Sequence, residues 1–100
     1  MIKHIVLFRF LDFAEGRTKE ENLKLAIEKL NSLPGKIPEI KGYEVGLNII
    51  SSQRACDLSL LATFDSIDDL DVYKNNPEHN EAVEFLSKVR YEAFACDYVI

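Results

Sequence analysis

The sequence has no tryptophan, one methionine, two cysteines and only two histidines among its 100 residues. Two cysteines are too few for the disulfide scaffold that holds many small secreted domains together. The histidines and cysteines show no paired ligand spacing, so we predict no metal site. Glycine-rich phosphate loops and the nucleophile-elbow motif are also missing, and we predict no cofactor.

Basic residues are few and scattered. Lysine and arginine total 12 against 17 acidic residues, which gives a formal net charge of −5. Binding to nucleic acid needs basic side chains to neutralise phosphates, so we expect no nucleic-acid partner. No apolar run approaches the roughly 20 residues that span a membrane, and the apolar N-terminal segment is too short and charged for a signal peptide. We therefore expect a cytoplasmic protein without a membrane partner.

What the chain does have is a balanced composition and regular hydrophobic patterning. Apolar residues make up 47% and charged residues 29%, which is typical of a folded globular protein. No linker, repeat or low-complexity stretch interrupts the sequence, so residues 1–100 are predicted to form one domain.

Hydrophobic periodicity predicts the order strand, helix, strand, strand, short helix, helix, strand. Thr18 and Glu21 have capping-box spacing and mark the start of the first helix. Asn76 followed by Pro77 is typical of another helix start. The predicted strands are residues 2–10, 40–49, 56–64 and 94–100, and the predicted helices run from about 18 to 33, 67 to 73 and 77 to 90.

Two βαβ-like halves in 100 residues predict an α+β, ferredoxin-like split βαβ sandwich. Right-handed crossovers place both main helices on one face of a four-stranded antiparallel sheet, with the strand order 4-1-3-2.

The second face of this sheet is predicted to be unusually apolar for a surface in water. An antiparallel sheet normally alternates polar residues there, and contiguous exposed apolar area is typical of an interface. We therefore expect two copies to pack sheet against sheet as a homodimer, although scattered apolar residues also occur on monomers. The residues assigned to this face are Ile5, Leu7, Leu61, Thr63, Ala95 and Val99, together with Lys3, Arg9 and Asp97.

Three side chains are candidates for chemistry. His79 is the third residue of the helix that begins at Pro77, and the apolar pattern that follows places it on the inward stripe. A helix N-terminus disfavours positive charge, so its imidazole should stay neutral near pH 7 and could act as a general base. Tyr73 lies across a short turn from His79, and His4 points from the first strand towards the helices.

These three residues allow two interpretations. They could line a small pocket that abstracts a proton next to a carbonyl group. Alternatively, His79 supports the helix start, His4 is a satisfied, semi-buried histidine, and Tyr73 is a core residue with its hydroxyl at the rim. Perturbed titrating groups in a cleft indicate function only probabilistically.

Several segments, in order and with the right spacing, resemble the stress-responsive α/β-barrel (Dabb) domain family. The resemblance implies a dimer of ferredoxin-like subunits whose two sheets form a barrel. It covers essentially the whole chain and rests on residues 1–10 (MIKHIVLFRF), 36–40 (KIPEI), 45–48 (VGLN), 57–64, 73–79 and 97–98.

The family includes a plant polyketide cyclase, olivetolic acid cyclase, which carries out a metal-free aldol condensation. The resemblance implies that its general-base histidine and partner tyrosine correspond to His79 and Tyr73, and its first-strand histidine to His4. Asn76 stands where many members have the first histidine of a His-Pro-x-His motif. A further cavity histidine of the cyclase has no counterpart here, and other members of the family are stress proteins without known catalysis.

Three hypotheses for function follow. The first is a stress-related, dimeric Dabb protein of unassigned activity that binds a small molecule near His79. The second is a cofactor-free enzyme that transfers a proton or carries out an aldol-type cyclisation, with His79 as general base and Tyr73 stabilising the enolate oxygen. The third is a cofactor-independent oxygenase, because similar dimeric barrels perform that chemistry.

Overall fold

The computed structural model describes residues 1–100. Four strands form an antiparallel sheet of order β4-β5-β1-β6, and two short strands form a separate hairpin. This arrangement confirms the ferredoxin-like α+β fold and the predicted order of its four strands. The strands are β1 Ile2–Phe10, β2 Phe13–Ala14, β3 Arg17–Thr18, β4 Gly42–Leu47, β5 Leu58–Phe64 and β6 Arg90–Val99, and the helices are α1 Lys19–Asn31, α2 Ile67–Asn75 and α3 Pro77–Val89.

The helices begin where local side-chain signals place them. The Thr18 hydroxyl accepts a hydrogen bond from the Glu21 amide, and the Glu21 carboxylate accepts one from the Thr18 amide, so both halves of the capping box are present. Asn76 caps α3 by accepting a hydrogen bond from the Glu78 amide at 2.9 Å, with Pro77 in the first helical position. The sequence predicted both helix starts.

The hydrophobic core lies between the three helices and one face of the sheet. Alternate residues of β1 and β5 point into it, as the period of a strand requires. The core includes Ile2, Phe8, Phe10, Leu58, Leu60, Ala62 and Phe64 from the sheet, and Leu23, Ala26, Leu30, Leu70, Ala82, Leu86 and Val89 from the helices.

Some predicted boundaries were wrong. The last strand begins at Arg90 rather than Phe94, because Arg90 leaves α3 directly in an extended conformation with φ −99° and ψ 155°. The first helix ends at Asn31, so Leu33 is buried just beyond it rather than within it. Strands β4 and β5 are each shorter than predicted by two residues at the start, and β4 also by two at the end.

The β2–β3 hairpin was missed. Its two turn residues, Glu15 and Gly16, both have positive φ, at 53° and 73°. A two-residue turn of this kind favours Asn-Gly or Asp-Gly, and Glu-Gly is a weak signal for it. The buried Asn22 of α1 holds the hairpin by donating to the Ala14 carbonyl at 3.0 Å and accepting from Arg17 at 2.7 Å.

The predicted faces of the last strand were also wrong. Ala95, Asp97 and Val99 are the register partners of residues whose side chains face the helices, namely Val6, His4 and Ile2. Opposite residues of an antiparallel pair share a face, so these three lie on the helix side of the sheet. Both alternating sets of β6 are largely apolar, so only the pairing register decides which one faces outwards. The outward set of β6 is Glu92, Phe94, Cys96 and Tyr98.

The outer face therefore carries more aromatic surface than expected. Leu7, Phe94 and Tyr98 are 38%, 48% and 42% exposed, and Ile5 and Leu61 are partly buried beside them. In this structure no helix is both long enough and apolar enough to cross a membrane.

Candidate active site

A cavity of about 130 Å³ lies between the helix-facing side of the sheet and helices α2 and α3. Its walls are mainly apolar and include Val6 and Leu60 of the sheet and Val83 and Leu86 of α3. The polar residues on its wall are His4, Tyr73, His79 and Arg90. The structure thus brings together all three residues that the sequence singled out, and it adds one more.

Tyr73 and His79 are held side by side by the turn between α2 and α3. Tyr73 is 1% exposed on the buried face of α2, and its carbonyl accepts a hydrogen bond from the Asn76 amide at 3.2 Å. His79 lies in the first turn of α3, and the ring centroids of Tyr73 and His79 are 4.4 Å apart. The ring of His4 also faces Tyr73, edge to face, with the two ring centroids 6.2 Å apart.

The hydrogen bonding of His79 assigns its tautomer. Its Nδ1 lies 3.2 Å from the backbone carbonyl of Lys74, and a carbonyl can only accept, so Nδ1 carries a proton and donates. The lone pair of the neutral ring is then on Nε2, which is the form a base needs. The sequence placed this candidate base on the inward face of α3, and it lines the cavity there.

Burial is the main reason why the pKa of His79 is lowered from its ordinary value of 6.5. The Asn80 side chain and the Lys74 carbonyl raise the pKa of His79, but less than burial lowers it. The imidazole is therefore neutral at pH 7. The sequence predicted a neutral ring from the helix N-terminus, whereas the structure gives burial as the leading cause.

Tyr73 has a phenolic partner that sequence reasoning did not identify. The hydroxyls of Tyr43 and Tyr73 are 3.0 Å apart, within hydrogen-bonding distance. Burial is the leading cause that raises the pKa of both phenols above the ordinary value of 10, so both are neutral at pH 7 and can donate. Tyr43 belongs to β4, more than 25 residues away in the chain, and nothing local in the sequence indicates the contact.

His4 also has a partner that the sequence analysis missed. Its Nδ1 hydrogen-bonds to the carboxylate of Asp97, and the imidazole is almost fully buried. Lys74 lies 4.0 Å from the other carboxylate oxygen. A carboxylate behind a histidine orients the ring and leaves Nε2 of the neutral form as the acceptor. Asp97 is the only charged residue of the predicted strand 94–100, and this was the available signal, but the predicted faces pointed Asp97 the wrong way.

The site therefore offers a neutral imidazole as a base, a neutral phenol as a hydrogen-bond donor, and a second imidazole fixed by a carboxylate. These groups suit proton transfer to and from a small molecule. No group of three or more His, Cys, Asp or Glu side chains converges in a way that could hold a metal ion.

Comparison with known proteins identifies the family. The pattern of the stress responsive A/B barrel domain (Dabb) matches residues 2–100. An uncharacterized protein of Streptomyces coelicolor is 32% identical over 84 residues, which cover 83% of this chain and 84% of the relative.

Two solved structures are similar over nearly the whole chain, and both are described as dimeric and of unknown function. A ferredoxin-like protein from Bacteroides fragilis is 32% identical, covers 99% of this chain and 95% of its own, and has a TM-score of 0.81. One from Thermobifida fusca is 26% identical, covers 99% and 90%, and has a TM-score of 0.86. The chain described here therefore belongs to the stress-responsive A/B barrel (Dabb) domain family.

Proposed function

We propose that this protein binds a small carbonyl compound in the cavity beside Tyr73 and His79 and transfers a proton at the carbon next to the carbonyl group. The contact between a neutral, half-buried imidazole and a neutral, buried phenol, with ring centroids 4.4 Å apart, is the observation that carries the proposal. Both side chains line the same cavity.

In the proposed step, Nε2 of His79 takes a proton from the carbon next to the carbonyl. The carbon–hydrogen electron pair moves to form an enolate, and the negative charge develops on the carbonyl oxygen. The Tyr73 hydroxyl donates a hydrogen bond to that oxygen and stabilises the charge. The enolate then regains a proton from His79, or its carbon attacks a second carbonyl carbon of the ligand in an aldol reaction. In the aldol case the electron pair of the attacked C=O bond moves to its oxygen, which takes the proton from His79. Neither route needs a redox partner.

The size of the cavity limits the ligand. Pockets for drug-sized molecules usually measure about 300–1,000 Å³, whereas this one measures about 130 Å³. The compound held against His79 should therefore have only a few carbon atoms, or only part of it should enter the cavity.

Exchange of hydrogen for deuterium tests this proposal without knowledge of the natural substrate. Small ketones and keto acids are incubated with the protein in D₂O, and loss of the protons next to the carbonyl is followed by NMR. We expect catalysed exchange for at least one compound. His79→Gln should lower the rate about 10²–10⁴-fold, the usual contribution of a general base.

Tyr73→Phe should also slow the exchange, because the enolate loses a hydrogen-bond donor. Tyr91→Phe is the matched control, since Tyr91 is 55% exposed and does not line the cavity. Exchange that is equally fast in wild type and His79→Gln would refute the proposed role. Ligand-dependent stabilisation without any exchange would indicate a binding protein rather than an enzyme.

We also propose that the protein works as a homodimer joined through the outer face of the sheet. Leu7, Phe94 and Tyr98 are exposed on this face, and the pair Ile5 and Cys96 lies between them in the strand register. Contiguous apolar surface of this kind usually marks an interface. The dimeric relatives from Bacteroides fragilis and Thermobifida fusca share the fold. A cytoplasmic location stays a prediction from the sequence.

Light scattering after size exclusion tests the dimer. The wild type should show twice the chain mass of 11.4 kDa at micromolar concentration. Phe94→Glu should yield monomers, because it places a charge inside the proposed interface. Phe13→Glu is the control, since Phe13 is 66% exposed on the hairpin and lies outside the sheet face. A monomeric wild type, or a Phe94→Glu variant that is still dimeric, would reject the interface.

A further inference from the structure

Arg90 lines the cavity from the junction between α3 and β6. It is the C-cap of α3 and the first residue of β6, so it sits where the chain turns from helix into sheet. Its register partner is Phe10, beside the bulge in the β1–β6 pairing. The side chain is half-buried and lines the same cavity as His4, Tyr73 and His79.

No group in the protein neutralises this arginine. Its guanidinium makes no side-chain hydrogen bond and has no carboxylate within 4.0 Å, although the chain holds 17 acidic residues. By contrast, Arg9 pairs with Glu92 at 3.1 Å, and Arg17 donates to Asn22 at 2.7 Å. A half-buried guanidinium with free donors is available to a ligand.

The other residues of the cavity wall do not offset the positive charge of Arg90. His79 is neutral at pH 7, Tyr73 is neutral, and the nearby Asp97 carboxylate is bonded to His4 rather than lining the cavity. Arg90 is therefore a cation beside mainly apolar walls, where electrostatic interactions are stronger than in bulk water. An anionic group that enters with the ligand would find its counter-charge there.

We propose that Arg90 binds a carboxylate of the ligand, so that the preferred ligands are small keto acids rather than neutral ketones. The planar guanidinium fork matches a carboxylate with two parallel hydrogen bonds. The carboxylate at Arg90 would leave the ketone carbonyl for Tyr73 and His79. This inference rests on the proposed site at His79, and it adds the chemical class of its ligand.

Binding is measured by NMR titration of the full-length, ¹⁵N-labelled protein. The probes are 2-oxobutanoate, the neutral diketone 2,3-pentanedione, in which a methyl ketone replaces the carboxylate, and inorganic phosphate. We expect the wild type to bind 2-oxobutanoate about 10-fold or more tightly than the diketone, as the loss of a charge-assisted hydrogen bond predicts. Phosphate should bind more weakly than 2-oxobutanoate, because its shape does not place a carbonyl at Tyr73.

Variants assign the preference to one side chain. Arg90→Gln should remove the preference for the acid, whereas Arg54→Gln should keep it, because Arg54 is an exposed loop arginine that carries the same charge outside this cavity. His79→Gln should also keep the preference, which separates recognition of the carboxylate from proton transfer. Thermal unfolding of Arg90→Gln checks that the variant is folded.

Each result has a clear consequence. Equal affinities for acid and diketone in the wild type, an unchanged preference in Arg90→Gln, or no saturable shifts near the cavity would each overturn the inference. A folded but less stable Arg90→Gln with unchanged binding would show that the arginine serves only the end of α3. Arg90-dependent binding of the acid with no hydrogen exchange would leave this inference standing and remove the proposed proton transfer.

Discussion

The hydrogen bond between Tyr43 and Tyr73 yields a sharp test of the site. Each hydroxyl is the other's only side-chain partner, at 3.0 Å, and burial keeps both phenols neutral. The perturbation is a double-mutant cycle with Tyr43→Phe, Tyr73→Phe and the combined variant. Phenylalanine keeps each ring and removes only the hydroxyl, so packing changes little.

The expected magnitudes follow from the burial of both groups. Each single variant leaves the remaining hydroxyl without a hydrogen-bond partner in a largely apolar setting. This should lower the free energy of unfolding by about 1–3 kcal/mol. The double variant removes both polar groups, and such replacements are often nearly neutral. The free energy of unfolding of the double variant should therefore lie closer to wild type than to either single variant. The coupling energy then approaches the sum of the two single losses, about 2–6 kcal/mol.

Urea denaturation followed by circular dichroism measures the four stabilities at one protein concentration, because association would shift apparent values. Thermal unfolding is a second readout, since about 1 kcal/mol moves the midpoint of a domain this size by about 4–8 °C. Single losses that simply add in the double variant would refute the hydrogen bond. Tyr91→Phe, at an exposed position, should change stability little and serves as the reference.

Three further predictions concern helix capping, the hairpin and pH. Thr18→Ala should lower the free energy of unfolding by about 1 kcal/mol, measured in urea, because the capping box of α1 loses its hydroxyl. Asn22→Leu should cost about 1–3 kcal/mol by leaving the Ala14 carbonyl unpaired, whereas the exposed Asn31→Leu should cost about 0.5 kcal/mol or less. His79 has a lowered pKa, so the folded state binds fewer protons there than the unfolded state. The free energy of unfolding of wild type should therefore fall relative to that of His79→Gln as the pH is lowered from about 6.5 through the lowered pKa. Urea denaturation at several pH values measures both. A difference between the two variants that does not change with pH would contradict the prediction.

The candidate site was only partly visible in the sequence. His79 and Tyr73 are six residues apart across a turn, so helix periodicity and the start of α3 were enough to place them together. His4 and its inward direction followed from alternation along β1. Their catalytic role stays a prediction, since the structure supplies the arrangement but not an activity.

Other contacts of the site depend on residues far apart in the chain. Tyr43 meets Tyr73 across 30 positions, and Asp97 meets His4 across 93. Alternation in β6 was ambiguous because both of its faces carry apolar residues, and the wrong face was chosen for Asp97. The last strand was predicted to begin at Phe94, but it begins at Arg90. For that reason nothing in the sequence indicated that Arg90 lies beside the cavity.

Local chemistry was sufficient for the helix starts and the succession of elements, because caps, turns and hydrophobic periods act between near neighbours in the chain. The crossover rule then gave the order of the strands and the general fold. Strand register, the bulge beside Phe10 and the packing of helices on the sheet were settled only in three dimensions. A shift of one residue in strand pairing exchanges the two faces, so the surroundings of the histidines and the apolar patch on the outer face required the folded structure.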